Sequence, residues 1–447
     1  MGVGSINVWG DATRFNMLNK GANCKLLIHS DAADATHVFT DSVGTHTPAE
    51  TGNTQHDTAQ IRSYLGKSSI LFDGDGDSLG IPDHADFNFG TGALTIDFWV
   101  RFSAVTGIHT LYYQAGANDD RVWFFVDHVL GKICMQVVSG GTNIVNQYIT
   151  WAPLVDTWYH VALIRGWGGT AASWSVCING TSIGTFTANV TMPDLNGTVS
   201  FGGGLSTTDI YDFSASAHKV TVVNDVVMSA TQAKFGNKSI SFPGTSDALT
   251  LADSVDWEIS SNTNYTIDFW VRLTSHAANM CFLDHYQDGS VSTRLQHNHT
   301  TGLNFLISNG GNVVNITGGE IADSNWHHVA MCKVASVYSL YLDGTRTATA
   351  TVADVVTQSG TLYIGSDDDD SDEVIGYMDE LRISSAAVFG SGATITIPTA
   401  PPLPDTSTLL LLRSDGTDLA GWMTEIRVVK GTAMWTSNFK VPIGKYT

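Results

Sequence analysis

Basic residues and proline are scarce in this chain: 22 Lys+Arg and 10 Pro among 447 residues. Against 43 acids, the formal net charge is −21. A surface this negative repels phosphate backbones and anionic membranes, which argues against a nucleic-acid partner. The longest purely aliphatic block, Leu409–Leu412, is far too short to span a bilayer, so no membrane insertion is expected. Charged residues make up only 15%, and 43% of the chain is apolar, which excludes a disordered chain and a heptad coiled coil. The five cysteines are odd in number and form no CxxC pair, so no disulfide framework is expected. Cys177 and Cys332 sit in alternating apolar runs and read as small core hydrophobes. The opening MGVGSINVWGDATRFN has no basic segment followed by an apolar one, so no signal peptide is expected. Synthesis in a reducing cytoplasm follows, and the sequons at Asn179 and Asn264 read as turn chemistry.

Glycine and aromatic residues are plentiful: 44 Gly, 12 Trp, 13 Tyr and 19 Phe. This is the composition of a β-rich protein with many turns. Strand periodicity supports it. In 95–102, Ile96, Phe98 and Val100 share one face, while Asp97, Trp99 and Arg101 share the other. Val161, Leu163, Val176 and Ile178 alternate likewise. Asn179-Gly180 and Asp343-Gly344 are tight hairpin dipeptides.

The chain also repeats. LGKSSILFDGDGDSLGIPD (65–83) matches FGNKSISFPGTSDALTLAD (235–253), and TIDFWVRF (95–102) matches TIDFWVRL (266–273). DTWYHVALIR (156–165), WSVCINGTSIGT (174–185) and GTVSFGGG (197–204) recur as 323–333, 338–349 and 360–367. Two elements break the order. GYMDELRIS (376–384) follows its neighbours directly in the second copy, but its counterpart GWMTEIRVV (421–429) lies at the far end of the chain. LLIHSDAAD (26–34) opens the first copy, whereas LLLLRSDGTD (409–418) closes the second. One arrangement accounts for both displacements: a circularly permuted second domain, 209–418, inserted into a discontinuous first domain, 24–208 plus 419–447, behind an N-terminal arm, 1–23. The expected fold is all-β: two antiparallel β-sandwich jelly rolls of about 210 residues each.

These segments together resemble the laminin G-like, pentraxin-type branch of the concanavalin A-like lectin/glucanase superfamily, as found in bacteriophage virion proteins. The resemblance covers about 24–447. It implies a structural calcium held by Asp415, Gly244 and Asp379 in the second domain. The matching positions of the first are Asp31, Gly74 and Thr424, where Thr424 departs from the acidic pattern. The acidic E-x-D-x-x-E strand of the glucanases is absent, so no catalytic residues and no enzyme are expected. Asp97 and Asp268 stand alone on their strands, followed by Arg101 and Arg272, and read as structural ion pairs.

Sugar sites combine exposed aromatics with hydrogen-bonding side chains. Candidates are Trp167 in Gly-Trp-Gly-Gly, His285 and Tyr286 beside Asp288, and Tyr112 and Tyr113 near Asp119 and Asp120. Trp99, Trp158, Trp270 and Trp326 belong to repeated core strands and are set aside. His327 and His328 read as packed or hydrogen-bonded histidines rather than metal ligands, and His297 and His299 as a loop pair lacking a third zinc ligand. The acidic run Ser366–Glu373 reads as a solvated loop, with cation binding or docking to a basic partner as alternatives. The expected role is a non-enzymatic virion structural protein, either tail fibre, appendage or capsid decoration. Other virion proteins or a second copy would be its partners, and host glycans a further ligand class. The alternatives are a stand-alone carbohydrate-binding adhesin at an extracellular surface and, last, a glycan hydrolase.

Overall fold

A computed structural model describes residues 23–447 apart from 63, 64, 207, 245, 260, 261, 353–357, 416, 417, 443 and 447. The N-terminal arm, Asn23 excepted, lies outside the described residues. The described elements are strands and a few three-residue 3-10 turns, and no helix is long and apolar enough to cross a membrane. The strands form four antiparallel sheets, paired as two sandwiches.

In the first sandwich, one sheet runs from the hairpin Ser173–Ile178/Thr181–Thr187 through Trp158–Arg165 and Leu94–Phe102 to Ala420–Lys430 and Ser69–Asp73. Its partner sheet has Ile108–Ala115, Arg121–Asp127, Lys132–Ser139 and Thr142–Thr150 in order, flanked by Val199–Phe201 and Ser78–Ile81. Leu26, Ile96, Phe98 and Val100 of one sheet meet Leu79, Tyr112 and Phe124 of the other in a single core. The second sandwich repeats the plan. Asn264–Leu273 pairs with His327–Val334 and Gly376–Ser384, and Thr408–Arg413 closes on Gly376–Ser384. Met280–Asp288, Val291–Asn298, Gly302–Asn309 and Asn312–Thr317 form the facing sheet beside Thr361–Ile364. Its core gathers Phe269, Val271, Phe282, Phe305, Leu340 and Leu410.

The two late strands thus join different sandwiches. Ala420–Lys430 lies between Leu94–Phe102 and Ser69–Asp73, and Cys24–Ile28 also pairs with it. Thr408–Arg413 sits in the second sandwich, where Cys24–Ile28 sits in the first. A loop missed as a repeat accompanies each. Asp41 accepts the amides of Leu27, Val43, Thr45 and His46, and Asp212 accepts those of Leu411, Ser214 and His218.

Local chemistry matches the elements. Asn179-Gly180 and Asp343-Gly344 take left-handed φ values of 49°, 79° and 47°, 79°, as a two-residue hairpin turn requires. Gly202 (φ 82°) lies against the Phe72 ring, where a Cβ would stand 2.3 Å from a ring carbon. Gly365 repeats this against Phe242. A side chain at either position would be strained by conformation and by contact alike.

The outward side of each large sheet is also covered. The C-terminal segment covers the first, setting Trp435, Met434 and Phe439 on Ala162, Ile164 and Cys177, and Tyr446 on Cys24, Leu27 and Val429. Phe389 and Ile395 cover Ala330, Cys332 and Tyr341 in the second. Asp97 therefore faces outward from the core and is nonetheless fully buried. It holds Arg427 through two oxygens at 2.8 and 3.2 Å and accepts from Tyr446 Oη at 2.5 Å, with His160 Nε2 at 3.1 Å. Asp268 pairs with Arg382 (2.8 and 3.1 Å) and approaches His328 (3.4 Å). These are structural ion pairs, but with the arginine of the next strand. Arg101 and Arg272 lie four residues along the same strand, about 13 Å away at strand rise. Arg101 reaches Asp156 instead. All five cysteines are buried free thiols, including Cys177 and Cys332.

Candidate functional site

The two small sheets carry equivalent outward faces with opposite chemistry. Register fixes the comparison. Across the second unit's sheet one row reads Tyr363, Asp284, Arg294, Leu306, Asn315. The same row in the first unit reads Ser200, Tyr113, Trp123, Gln136, Asn146.

The first unit's row is an interface. Tyr113, Trp123 and Phe125 pack with Leu411, in the second unit's strand Thr408–Arg413, and with Phe213, just past its strand Tyr211–Asp212. Tyr113 Oη bonds Tyr211 Oη at 2.7 Å, Asn143 and Asn146 donate to the carbonyls of Ser214 and Phe213, and the Arg121 guanidinium lies 4.1 Å from the Tyr211 ring centre. Asp127 forms a wholly buried ion pair with Arg413.

Among the described residues, the second unit's row has no such cover. Asn315 is exposed, Tyr363 and Leu306 are half-buried, and Gln296, Tyr286 and Ser292 flank them. Arg294 is the centre. It pairs with Asp284 at 2.8 Å, Asp367 at 3.3 Å and Asp368 at 3.7 Å. Burial pushes Asp284 up to about 6 against the pull of Arg294, with the Asp368 and Asp367 charges adding to the rise. Asp284 Oδ1 has no hydrogen-bond partner. Asn304 donates to Asn315 at 2.8 Å and to Thr317 at 2.9 Å, and Gln296 donates to Asn304 at 3.3 Å. The result is a ladder of carboxylate, guanidinium, amide and phenol groups along one open face.

The sugar candidates divide on this map. Tyr286 lies on the open face, two residues along from Asp284, and exposed Asp288 ends the same strand. His285 points the other way and is 1% exposed. Tyr112 is fully buried: a bulge between Thr110 and Tyr112 turns Leu111 and Tyr112 into the same core. Tyr113 is covered by the second unit. Trp167 is half-buried and packs in the cluster of Ala433, Met434 and Phe439. Tyr112, Tyr113 and His285 are buried and so are corrected as exposed sugar platforms, whereas Trp167 keeps one partly open side. The alternation that marks a strand does not reveal a bulge, an interface or a covering tail.

The acidic run departs from a solvated loop at one carboxylate. Asp367 is 2% exposed and serves as a cap, accepting Ser371 N (2.8 Å), Ser371 Oγ (2.9 Å) and Asp372 N (3.2 Å) while pairing with Arg294. Asp369 and Asp370 remain exposed. His327 bonds Asp343 and Asp323, and His328 is buried beside Asp268, as packed or hydrogen-bonded histidines should be. His297, expected in a loop, instead lies buried in the strand Val291–Asn298 and faces Glu320.

Asp379 and Asp415 do come together, close enough that the Asp415 charge adds to the burial that pushes Asp379 up to about 7. Their oxygens are already engaged. Asp379 accepts the amides of Lys234 and Phe235 and the hydroxyl of Ser414, and Asp415 holds the Arg413 guanidinium. Gly244 packs on Ile375 and donates to Asp247. Calcium takes six to eight oxygens, and a set filled by N–H donors and a guanidinium does not fit it. In the first unit, Asp31 pairs with Lys445, Gly74 abuts Ala420, and Thr424 is buried with its hydroxyl unpartnered. Asp31 also lines a pocket of about 260 Å³ with His29, Val38, Thr40 and His56.

A family model described as the concanavalin A-like lectin/glucanases superfamily, of the laminin G type, matches residues 73–233 and 243–391. The chain belongs to this superfamily. Its two jelly rolls are lectin-like by that membership. The first match runs past Phe201 into strands Thr221–Val223 and Val227–Ser229, which pair within the second unit. Among solved structures, domains LG4-5 of the mouse laminin alpha1 chain are 16% identical, cover 77% of this chain and 97% of their own, and align with a TM-score of 0.33. Domain 4 of AbnA, an arabinanase from Geobacillus stearothermophilus, is 17% identical over 40% of this chain and 84% of its own, with a TM-score of 0.31. No curated protein matches the chain.

Sequence reasoning passed over Asp284, Arg294, Gln296, Asn304 and Asn315. A signal was present: aligned by register, VSTRLQHN (291–298) is polar where RVWFFVD (121–127) is aromatic.

Proposed function

We propose that this is a non-catalytic, glycan-binding protein whose binding surface is the open face of the second unit. The observation that carries the reading is the asymmetry between equivalent faces. The first unit's face is aromatic and closed by its neighbour. The second unit's face is polar, accessible and lined by Tyr286, Arg294, Gln296, Asn315 and Tyr363. Sugar hydroxyls pair with carboxylates, amides and guanidinium groups, and pyranose rings stack on tyrosines. Hydrolysis is outside the reading, because Asp284 is tied to Arg294, whereas a retaining glycosidase needs two free carboxyls about 5–5.5 Å apart.

A glycan array probed with the full chain and with Tyr286→Ala and Asn315→Ala tests this. We expect a defined set of bound glycans and a loss of at least about tenfold in each variant, the size of one good hydrogen bond or stacking contact. A folded protein that binds nothing, or variants that bind as well as the parent, would overturn it.

The setting we propose is a virus particle, with the protein as tail fibre, appendage or capsid decoration and with other particle proteins or its own copies as partners. A buried joint between the two jelly rolls supports this, since a displayed module must hold its orientation under load. Mass spectrometry of purified particles should find it, and its absence there would leave the stand-alone adhesin.

A further inference from the structure

We propose that His46, His84 and Asp86 of the first unit form a binding site for a divalent transition-metal ion of the zinc class. Among the described residues these are the three side chains whose ligand atoms gather within 4.8 Å of one another. His84 Nδ1 stands 3.2 Å from Asp86 Oδ2, and His46 Nε2 stands 3.5 Å from the same oxygen. Around a tetrahedral zinc with bonds of 2.0–2.2 Å, neighbouring ligand atoms lie about 3.3–3.5 Å apart. Both nitrogen-to-carboxylate spacings thus match without rearranging the backbone, and the two ring nitrogens lie within 4.8 Å of each other.

A second observation points to a ligand. The His46 side chain is 4% exposed, and its Nε2 makes no hydrogen bond although it is aimed at Asp86. Buried ring nitrogens are ordinarily paired. The ring is fixed from behind: its backbone amide donates to Asp41 Oδ2, and it packs on the Phe87 ring at 4.9 Å. Lys25 occupies Asp86 Oδ1 at 3.1 Å, which orients the carboxylate and leaves Oδ2 to the imidazoles. His84 is 48% exposed and gives the cluster its opening to solvent. Its Nδ1 accepts the Asp86 amide at 3.1 Å, so a metal bound there replaces one hydrogen bond.

The second unit supplies an internal control. His218 matches His46: each is held through its amide by the matching aspartate and lies three residues before an edge strand. Asp256 matches Asp86. There the histidine and carboxylate close directly on each other at 2.8 Å, with Ser216 Oγ on the same oxygen. The position of His84 is Ser254, which caps the 3-10 turn through its hydroxyl at 3.2 Å. The same scaffold therefore makes a saturated pair in one unit and an unsaturated three-ligand cluster in the other. Three substitutions separate the two: Ser254 stands for His84, Leu409 for Lys25, and Ser216 for Gly44.

Titration calorimetry of the chelator-stripped full chain with zinc chloride, and visible absorption of its cobalt form, test the site. We expect one saturable equivalent and the intense visible bands of low-coordinate cobalt. His84→Ser, which copies the second unit's own residue at an exposed position, should weaken binding by at least about tenfold, since even outer-shell partners of metal ligands are worth 10–100-fold. The thermal midpoint without metal should be unchanged. Asp86→Asn should weaken binding likewise. An unmodified chain that shows no stoichiometric zinc binding, or a His84→Ser chain that binds as tightly as the parent, would overturn the proposal. In the second case another histidine pair would be the host.

Discussion

Asp97 shows how much one residue can carry. Its carboxylate is fully buried and answers three donors drawn from two other strands and the C-terminal segment. Replacing it with asparagine leaves the Arg427 guanidinium buried and unpaired, a loss of about 3–5 kcal/mol. Asp268→Asn should cost less, because the Arg382 side chain is 13% exposed and keeps access to water, whereas Arg427 is 0% exposed. Urea unfolding of the two variants should show this order, and equal costs would refute it. The role of Asp97 was legible from its isolation on an apolar strand. The partner was not, because pairing across strands depends on register, and Arg427 lies 330 positions away.

At the scale of elements, the alternating strands, the two hairpin turns and the duplication all follow from the sequence, since period and turn chemistry are local. The covering segments do not. The C-terminal segment shows no strand period, yet its Met434, Trp435, Phe439 and Tyr446 close the outward side of the first large sheet. Trp435 stacks on Phe439 with ring centres 3.8 Å apart. Trp435→Ala should cost about 3–5 kcal/mol, as for other large buried aromatics. It should also make Cys177, now 0% exposed, reactive toward a thiol reagent under native conditions. An inert thiol and an unchanged midpoint would show that the segment merely rests on the sheet. The candidate site was half legible for a similar reason. Tyr286 and Asp288 were found as an aromatic beside an acid. Arg294 and Asn315 were missed because their significance appears only when a row across four strands is compared with its counterpart.

At the scale of the molecule, we propose that the second unit is a permuted copy inserted into the first. The placements of Cys24–Ile28 and Thr408–Arg413, and of Gly376–Ser384 and Ala420–Lys430, agree with such a history, as do the paired Asp41 and Asp212 loops. The joint between the units should behave as one cooperative block. Asp127→Asn strips the charge from a buried partner of Arg413, and Phe213→Ala empties the aromatic cluster beside it. Calorimetry of the double variant should show two separated transitions where the parent shows one. A single transition in both would mean that the chain connections between the units couple them without these contacts.

The burial of Trp123 carries a final consequence. Duplication ordinarily doubles the number of contact points a chain can make, but here one copy's face was consumed in joining the other. On this reading each chain is monovalent despite its two jelly rolls. Firm attachment to a surface would then come from displaying many chains together, where a second engagement occurs at an effective concentration set by their spacing. Contact by a single free chain would be weak and quickly reversed.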